Sequence, residues 1–410
     1  MLVPLLTVLV LAAGAQSPSD ERTRALQLAR AGRNTEAIEL FKQVVQQDPA
    51  DTESRLWIAR LDLRVGRTSD AEAGFRSVLR DHPQDVDAKI GLASVLLRKG
   101  ASDDALALLL EAEPAAGQNA DFLSVLGRAY RRTGDDRRGL EYFKRARALA
   151  PNDPDIISGY EAAVLAYGHS LTFEGFSQWD PEDVHTSSGL FQTSIRVAPP
   201  LHLDASVHVE SRSGVSDTVA GGGFLWRVTR GSTLGFHALG GSGNTLLPTS
   251  DLSGEVINYI DAYEWGGGLR RLSFSGVDVL AISPTFAWDR GRTRLDSRYT
   301  FSRVNFDGDE TVQPLANATD DSSSDHSVLV RGTWRRWRRA WLQAGYAYGI
   351  ESFEDFTIDR IGSLGATTVS VGGRFDLPSL TMITTTYEHQ WRSNSTTMDR
   401  VTLALVQFFP

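Results

Sequence analysis

One segment carries four polar side chains at alternate positions, and these are the first candidates for chemistry. Segment 201–212, "LHLDASVHVESR", alternates polar and apolar residues, which predicts a strand with one polar face. That face carries His202, Asp204, His208 and Glu210. Imidazole and carboxylate groups bind metals, but a metal site needs ligands that converge in a defined geometry. Polar residues in a row along one strand are more typical of a wet lining, so the sequence predicts no metal and no cofactor.

Two glycine runs and the absence of cysteine bear on enzymatic chemistry. The runs at 221–223 and 266–268 lack the Gly-Lys-Ser/Thr ending of a phosphate-binding loop, and they fit strands that bend. Without cysteine there is no disulfide, no thiolate nucleophile and no cysteine-ligated metal. No catalytic triad or carboxylate pair can be assigned from spacing, so the sequence predicts a protein that is not an enzyme. An outer-membrane enzyme of the lipase type is the remaining enzymatic alternative, because a triad is recognised by geometry.

Length and charge limit the classes of protein to consider. The 410 residues are enough for two or three domains, and 41% of them are hydrophobic. The formal net charge of -9 argues against a nucleic-acid partner, which would require a basic surface.

The first fifteen residues, "MLVPLLTVLVLAAGA", form an apolar run that ends in small residues. This pattern predicts a secretory signal peptide at 1–15, cleaved before Gln16. A short membrane anchor is the alternative, but a run under about 18 apolar residues spans a bilayer poorly.

The first half of the chain repeats with a period of 34 residues. Gly32, Gly66, Gly100 and Gly134 mark the period, and other columns keep the same spacing. These columns are Ala25, Ala59, Ala93 and Gly127; Ala37, Ala71, Ala105 and Gly139; Phe41, Phe75, Leu109 and Phe143; and Pro49, Pro83 and Pro151, with Gly117 in the remaining slot.

A helix–turn–helix unit explains these columns. The glycine ends the first helix, small residues let two helices approach, the aromatic closes the pair, and proline stops the second helix. This resembles the tetratricopeptide repeat, with copies at 18–51, 52–85, 86–119 and 120–153 and a capping helix at 155–166, within a domain at 16–167. Stacked repeats form open grooves, so we expect the domain to bind a periplasmic protein partner or a polysaccharide; a plain spacer is the alternative.

From His169 onward a period of two replaces the helical period. We predict fourteen strands between 169 and 409. Short turns follow the even strands, and longer segments such as 242–251, 306–325 and 352–363 follow most odd strands. Alternation alone fits a soluble sandwich as well, but short turns at one rim and long loops at the other are typical of a bacterial outer-membrane barrel. We therefore predict an antiparallel transmembrane β-barrel at 168–410, after an N-terminal α-solenoid.

Tryptophan placement favours the same architecture. Eight of the nine tryptophans follow residue 169. Trp179 and Trp391 fall near the long-loop rim, and the sequence places another group near the short-turn rim, as in interfacial aromatic girdles. That second group is Trp226, Trp288, Trp334, Trp337 and Trp341. The last segment, "MDRVTLALVQFFP" (398–410), would close the ring, since an open strand edge cannot lie in lipid.

This order of elements resembles the YaiO family of outer-membrane proteins. The likeness lies in "GGLRRLSFSGVDVLAISPTFAWDRGRTRLDSRYTFS" (267–302) and in Leu247-Pro248. The architecture is also similar to exporters of cellulose and of poly-N-acetylglucosamine, the BcsC and PgaA type. The resemblance implies an outer-membrane location, with the repeats in the periplasm and membrane lipid around the barrel.

Polar residues on the inward faces of the predicted strands are candidates to line a lumen. They are Glu174, Gln192, Arg196, Asp204, His208, Glu210, Glu264, Arg270, Arg294, Asp296, Arg298, Arg331 and Arg374. The run "RGTWRRWRRAW" (331–341) adds a basic cluster at a periplasmic turn, formed by Arg335, Arg336, Arg338 and Arg339. We expect that cluster to meet lipid phosphates or an acidic partner, or to be solvated edge charge. No lysine follows Lys144.

Lumen charge of both signs suits a neutral or zwitterionic hydrated solute. The leading hypothesis is a passive conduit for an exopolysaccharide or similar solute. Internal ion pairs that plug a narrow barrel are the competing interpretation, and they would make the protein a scaffold whose barrel is only an anchor.

Overall fold

The chain folds into two compact units, one ending at Tyr160 and one beginning at Glu161. The computed structural model describes residues 18–179, 185–229, 231–306, 322–337, 339–350, 365–393 and 396–410. The predicted signal peptide, segment 352–363 and Arg338 lie outside these residues, as does most of segment 306–325.

Nine helices occupy residues 18–167 of the described chain, and they confirm the expected solenoid. They are α1 (Pro18–Arg30), α2 (Asn34–Gln47), α3 (Thr52–Arg64), α4 (Thr68–Asp81), α5 (Val86–Lys99), α6 (Ser102–Ala116), α7 (Ala120–Arg132), α8 (Asp136–Leu149) and α9 (Pro154–Tyr167). No helix within the described residues is both long and apolar enough to cross a bilayer.

Glycine makes the turn inside each helix pair. Gly32, Gly66, Gly100 and Gly134 have φ values of 77°, 88°, 84° and 92°, a left-handed conformation that costs other residues energy. The chain therefore reverses after the first helix of every repeat at the same point of the 34-residue period.

Aromatic side chains fill the spaces between successive repeats. Phe75 on α4 is fully buried, and a Cβ added at Gly91 on α5 would lie 2.2 Å from its ring. Likewise, a Cβ added at Gly159 on α9 would lie 2.2 Å from the ring of Phe143 on α8. The two glycines thus leave the space that the phenyl rings occupy against the next helix.

Asp51 caps the first turn of α3, and we expect its loss to destabilise the repeats. Its carboxylate accepts hydrogen bonds from the Ser54 backbone N–H (3.1 Å), the Ser54 hydroxyl (2.6 Å) and Arg22. Asp51→Ala should lower the free energy of unfolding by about 1 kcal/mol, as for other N-caps. The measurement is urea unfolding of the full-length protein in detergent, followed by circular dichroism at 222 nm.

The Asp51 contribution should also depend on pH. Burial acts to raise the pKa of this carboxyl, but the hydrogen bonds from Ser54 and Arg22 outweigh burial and hold the pKa below its usual range. The stabilisation is therefore present above the unfolded pKa of about 3.9 and lost as pH falls through the folded value. The stability gap between wild type and Asp51→Ala should close at acidic pH; an unchanged gap would contradict this assignment.

Fourteen antiparallel strands form the second unit within the described residues, and β1 pairs with β14 to close the barrel. They are β1 (His169–Trp179), β2 (His185–Ala198), β3 (Leu201–Arg212), β4 (Val215–Thr229), β5 (Ser232–Gly240), β6 (Ser250–Ile260), β7 (Tyr263–Phe274), β8 (Val277–Arg290), β9 (Thr293–Phe306), β10 (Ser322–Trp337), β11 (Ala340–Ile350), β12 (Gly365–Leu377), β13 (Thr381–Arg392) and β14 (Thr397–Phe409).

The closing register runs from His169 opposite Phe409 to Trp179 opposite Asp399. Connections after even strands span two or three residues, and these form the short-turn end of the barrel. Connections after odd strands form the long-loop end, where the segment between β5 and β6 has nine residues. The final strand thus completes the ring, so that the sheet has no free edge.

The two faces of the barrel wall differ in polarity. Leu203, Val207 and Val209 on β3 are exposed on the outer face, as are Leu403 and Leu405 on β14. Successive side chains of a strand point to opposite faces, and the inner-face neighbours of these residues include Asp204, Ser206, His208, Thr402 and Ala404, which are polar or small. The barrel therefore has an apolar outer surface and a polar interior.

Candidate functional site in the barrel interior

The larger interior cavity, of about 450 Å³, is lined by charged side chains of both signs. Six of its lining residues are candidates from the sequence: Glu264, Arg270, Arg294, Asp296, Arg298 and Arg331. Arg294 joins two strands, because its guanidinium lies 3.1 Å from Glu264 Oε2 and 2.6 Å from Asp296 Oδ1. The cavity thus presents fixed charges, part of which neutralise one another.

A second cavity, of about 310 Å³, is lined by residues of β1 to β7. Glu174, Gln192 and His208 line it, and His208 Nε2 lies 2.6 Å from Ser188 Oγ. Arg270 lines both cavities and holds the Asp251 carboxylate with two hydrogen bonds of 3.0 and 2.7 Å. A two-bond arginine–carboxylate pair fixes geometry better than a single contact, so the Arg270 side chain has a defined position where it lines both cavities.

Two further candidates lie on β3, which carries the polar row found in the sequence. Asp204 Oδ2 lies 3.0 Å from His237 Nδ1, and Glu210 is 1% exposed. Within the described residues, no group of three or more His, Asp or Glu side chains is placed to hold a metal ion.

Arg196 lies at the short-turn end and contacts the backbone there. It donates to the carbonyl oxygens of Pro199 at 2.6 Å and Ala166 at 2.5 Å, and its guanidinium stacks 4.7 Å from the Tyr167 ring. It is 8% exposed, and these contacts hold its side chain where α9 enters β1. This placement departs from the lumen-lining role that the sequence suggested.

Trp341 differs from the interfacial role expected for it. Leu342 and Tyr346 are exposed on the outer face of β11, so the odd-numbered Trp341 belongs to the inner face. Its ring lies 4.6 Å from the guanidinium of Arg374 and 6.0 Å from that of Arg335. Trp334 and Trp337, in contrast, are exposed. The sequence did contain this signal, because odd-numbered residues of β11 face inward and Trp341 therefore cannot belong to an outer-face girdle.

The remaining arginines at the short-turn end are separated rather than clustered. Arg374 also pairs with Asp376 at 2.9 Å, while Arg335 donates to the Gly291 carbonyl oxygen at 3.2 Å. Arg336 lies over the rings of Trp334 and Trp337, on the outside. Arg339 pairs with Glu161 at 3.1 Å. The described members of the predicted basic cluster therefore have different neighbours and do not form one anion site.

The sequence did not identify a segment that folds into the barrel at the long-loop end. We call residues 241–249, between β5 and β6, the infolded segment. Its Leu247 and Pro248 line the smaller cavity, and Leu246 and Leu247 are buried. An apolar pair inside a polar loop was the available signal, because such residues are seldom left in water at a loop tip.

Asp217 on β4 holds the infolded segment in place. One of its carboxylate oxygens accepts hydrogen bonds from three successive backbone N–H groups, of Thr245 (2.6 Å), Leu246 and Leu247 (3.0 Å). Asp217 is 5% exposed, and Asn244 adds a bond from its side chain to the Pro248 carbonyl oxygen at 3.1 Å. Hydrogen bonds to an ionised acceptor are stronger than neutral ones, so Asp217 is the principal anchor of this segment.

A polar contact across the closing strands was also not foreseen. Arg400 on β14 is 3% exposed and donates to Gln178 Oε1 on β1 at 2.9 Å. Its guanidinium lies 4.3 Å from the ring centre of Phe176, which is itself buried. These contacts link the first and last strands on the inner side of the wall.

Comparisons with known proteins concern the repeats. Residues 18–169 match the family model described as tetratricopeptide repeat. A thermophilic repeat protein of Thermus thermophilus, TTC0263, is 24% identical and covers 36% of this chain and 82% of its own, with a TM-score of 0.34. MamA from Desulfovibrio magneticus RS-1 is 22% identical, and the match covers 37% of this chain and 86% of the MamA chain, with a TM-score of 0.31. A comparison with curated proteins found no match.

The family match agrees with the 34-residue period, the nine helices of the described chain and the left-handed glycines. The N-terminal unit carries tetratricopeptide repeats, and a closed barrel of fourteen antiparallel strands follows it.

Proposed function

We propose that the protein resides in the bacterial outer membrane, with its repeats in the periplasm. The support for this location is the wide outer face of exposed Leu, Val, Phe and Trp side chains on a closed sheet. An exposed apolar surface of this extent is unfavourable in water and favourable in lipid. The short turns, the start of β1 and the end of β14 share one end, which is the periplasmic end in such barrels.

Within that location, we propose a passive conduit for a hydrated solute, most concretely an exopolysaccharide on its way out of the cell. The observation that carries this proposal is the charged interior, in which Arg294, Arg298, Glu264 and Asp296 line one cavity of about 450 Å³. Water and sugar hydroxyls can replace one another as hydrogen-bond partners of these charged side chains. Because charges of both signs line the interior, a strong selectivity for cations or for anions is not expected.

The identity of the solute rests on architecture. Repeats before a barrel are similar to the YaiO family and to exporters of the PgaA and BcsC type, and the repeats would recruit a periplasmic partner to the barrel. The proposed lining comprises the residues around the two cavities, and Arg270 belongs to both.

A second candidate function is a scaffold whose barrel only anchors the repeats. The infolded segment favours it, because Leu246 and Leu247 take up interior space at the long-loop end. Interior ion pairs such as Arg270–Asp251 would then stiffen the wall rather than contact a solute.

Planar-bilayer recording of the full-length protein tests the two functions. A conduit should give ohmic steps with weak ion selectivity, and a neutral cello-oligosaccharide should reduce the current. Silence in wild type and in a variant with a released infolded segment would overturn the conduit and leave the scaffold.

A further inference from the structure

Positive charge in the repeat unit is concentrated in the fourth repeat. Residues 120–153 contain eight Arg and Lys side chains against five Asp and Glu, whereas residues 18–119 contain fourteen against seventeen. A basic patch on an otherwise acidic protein attracts negatively charged partners to one place.

The basic residues of α8 surround two stacked tyrosines. The rings of Tyr130 and Tyr142 are 5.3 Å apart and nearly parallel, at 8°. Arg138 lies 5.5 Å from the Tyr130 ring and Arg145 lies 5.1 Å from the Tyr142 ring. Together with Arg137 and Glu141 they line an open depression of about 520 Å³, which we call the α8 basic site.

Contacts beneath the α8 basic site fix its shape. The Tyr142 hydroxyl donates to Glu113 Oε1 at 2.7 Å, and Arg145 donates to the Gly117 carbonyl oxygen at 3.2 Å. Burial is the larger cause and the hydrogen bond to Glu113 the smaller cause of a raised pKa of Tyr142, so its hydroxyl remains a donor at neutral pH. Arg138 also lies 3.5 Å from the Asp135 carboxylate and Arg145 lies 3.7 Å from the Glu113 carboxylate. The two arginine side chains are still 58% and 49% exposed, so the ring contacts and these ion pairs position their guanidinium groups without removing them from water.

Such preorganised guanidinium groups favour carboxylates. Arginine binds a carboxylate through two parallel N–H bonds, and ordering it beforehand reduces the entropy lost on binding. Arg137 and Arg145 are eight residues apart on α8, or about 12 Å along the helix. An extended peptide covers that distance with about four residues.

We infer that the α8 basic site binds a short acidic peptide segment of a periplasmic partner. Acidic residues near the two ends of the segment would meet the Arg137–Arg138 pair and Arg145. Glu141 lies between these arginines and would repel a carboxylate at the centre, which selects for a neutral residue there. The inference rests on the proposed role of the repeats in recruiting a partner.

The test is fluorescence anisotropy with a labelled Glu-Glu-Gly-Glu-Glu peptide and the full-length protein in detergent at 150 mM NaCl. We expect saturable binding that the double variant Arg138→Glu/Arg145→Glu weakens by about tenfold, since two opposite-charge contacts become repulsive. Arg137→Glu, which leaves both ring contacts intact, should weaken binding by about threefold. The matched control is Arg64→Glu/Arg80→Glu, which makes the same change in net charge on exposed residues of the second repeat.

Equal loss of binding in the control would overturn the inference, because it would indicate general electrostatic attraction. Absence of peptide binding would overturn it too, as would tighter binding of a labelled oligogalacturonate of equal charge, which would identify a polysaccharide ligand instead. The measurement does not involve the barrel interior, so its failure is distinguishable from failure of the conduit.

Discussion

Replacing Asp217 with alanine is expected to release the infolded segment and raise the single-channel conductance several-fold. The substitution removes three charge-assisted hydrogen bonds and leaves the backbone N–H groups of Leu246 and Leu247 without their acceptor. A buried donor that loses its partner costs about 1–3 kcal/mol, so the present position of the segment would no longer be favoured. Planar-bilayer recording of wild type and variant under the same conditions measures the effect.

Asp376→Ala provides the matched control for this experiment. It also removes an inner-face carboxylate of the barrel, but one that pairs with Arg374 at the short-turn end, away from residues 241–249. We expect its conductance to stay near that of wild type. Equal increases in both variants would mean that interior charge, and not the infolded segment, sets the conductance.

The second large effect is expected at Gly91, where alanine should destabilise the repeats by up to about 2 kcal/mol. In an exposed helix, replacing glycine with alanine stabilises by roughly 1 kcal/mol. Here the new Cβ would lie 2.2 Å from the buried Phe75 ring, and crowding of a packed core typically costs about 1–3 kcal/mol. Urea unfolding at 222 nm measures the difference.

A double-mutant cycle isolates the contact between Gly91 and Phe75. Phe75→Leu removes the part of the ring that the new methyl group would meet, so it should recover part of the loss in the Gly91→Ala background. Simple addition of the two single-variant losses would show that crowding against Phe75 is not the cause.

The repeats could be predicted from the sequence because each helix and turn of a repeat has a characteristic residue at a fixed position. Gly32 and Gly66 end helices through their own backbone conformation, and Phe41 and Phe75 return at a fixed spacing. The receiving positions of the rings were not recognised. Gly91 and Gly159 follow the aromatic residues Phe75 and Phe143 by sixteen residues, across a repeat boundary.

The strands could be predicted for a similar reason, since alternation and turn length are both local. Fourteen strands are predicted between 169 and 409, and fourteen lie there within the described residues. Alternation does not predict which residues far apart in the sequence contact one another inside the barrel. The bonds from Asp217 to residues 245–247 join positions about thirty residues apart, and the Arg400–Gln178 bond joins the two ends of the barrel.

Individual side chains at the short-turn end show the same limit. Trp341 was placed by its nearness to a turn, but the parity of β11 sends its ring to the inner face beside Arg374. Arg196 was placed by parity, yet its length lets it reach the carbonyl oxygens of Pro199 and Ala166. Long side chains at the end of a strand are therefore poorly predicted by alternation.

The confinement of lysine to the repeats makes the protein selectively reactive toward amine chemistry. Lys42, Lys99 and Lys144 are exposed, whereas Lys89 is 3% exposed and pairs with Glu111 at 2.9 Å. Every cationic residue after Lys144 other than histidine is arginine, which lacks a nucleophilic amine. Apart from the α-amine, a lysine-directed cross-linker or dye applied to the native protein will therefore attach to the repeats and leave the barrel unmodified.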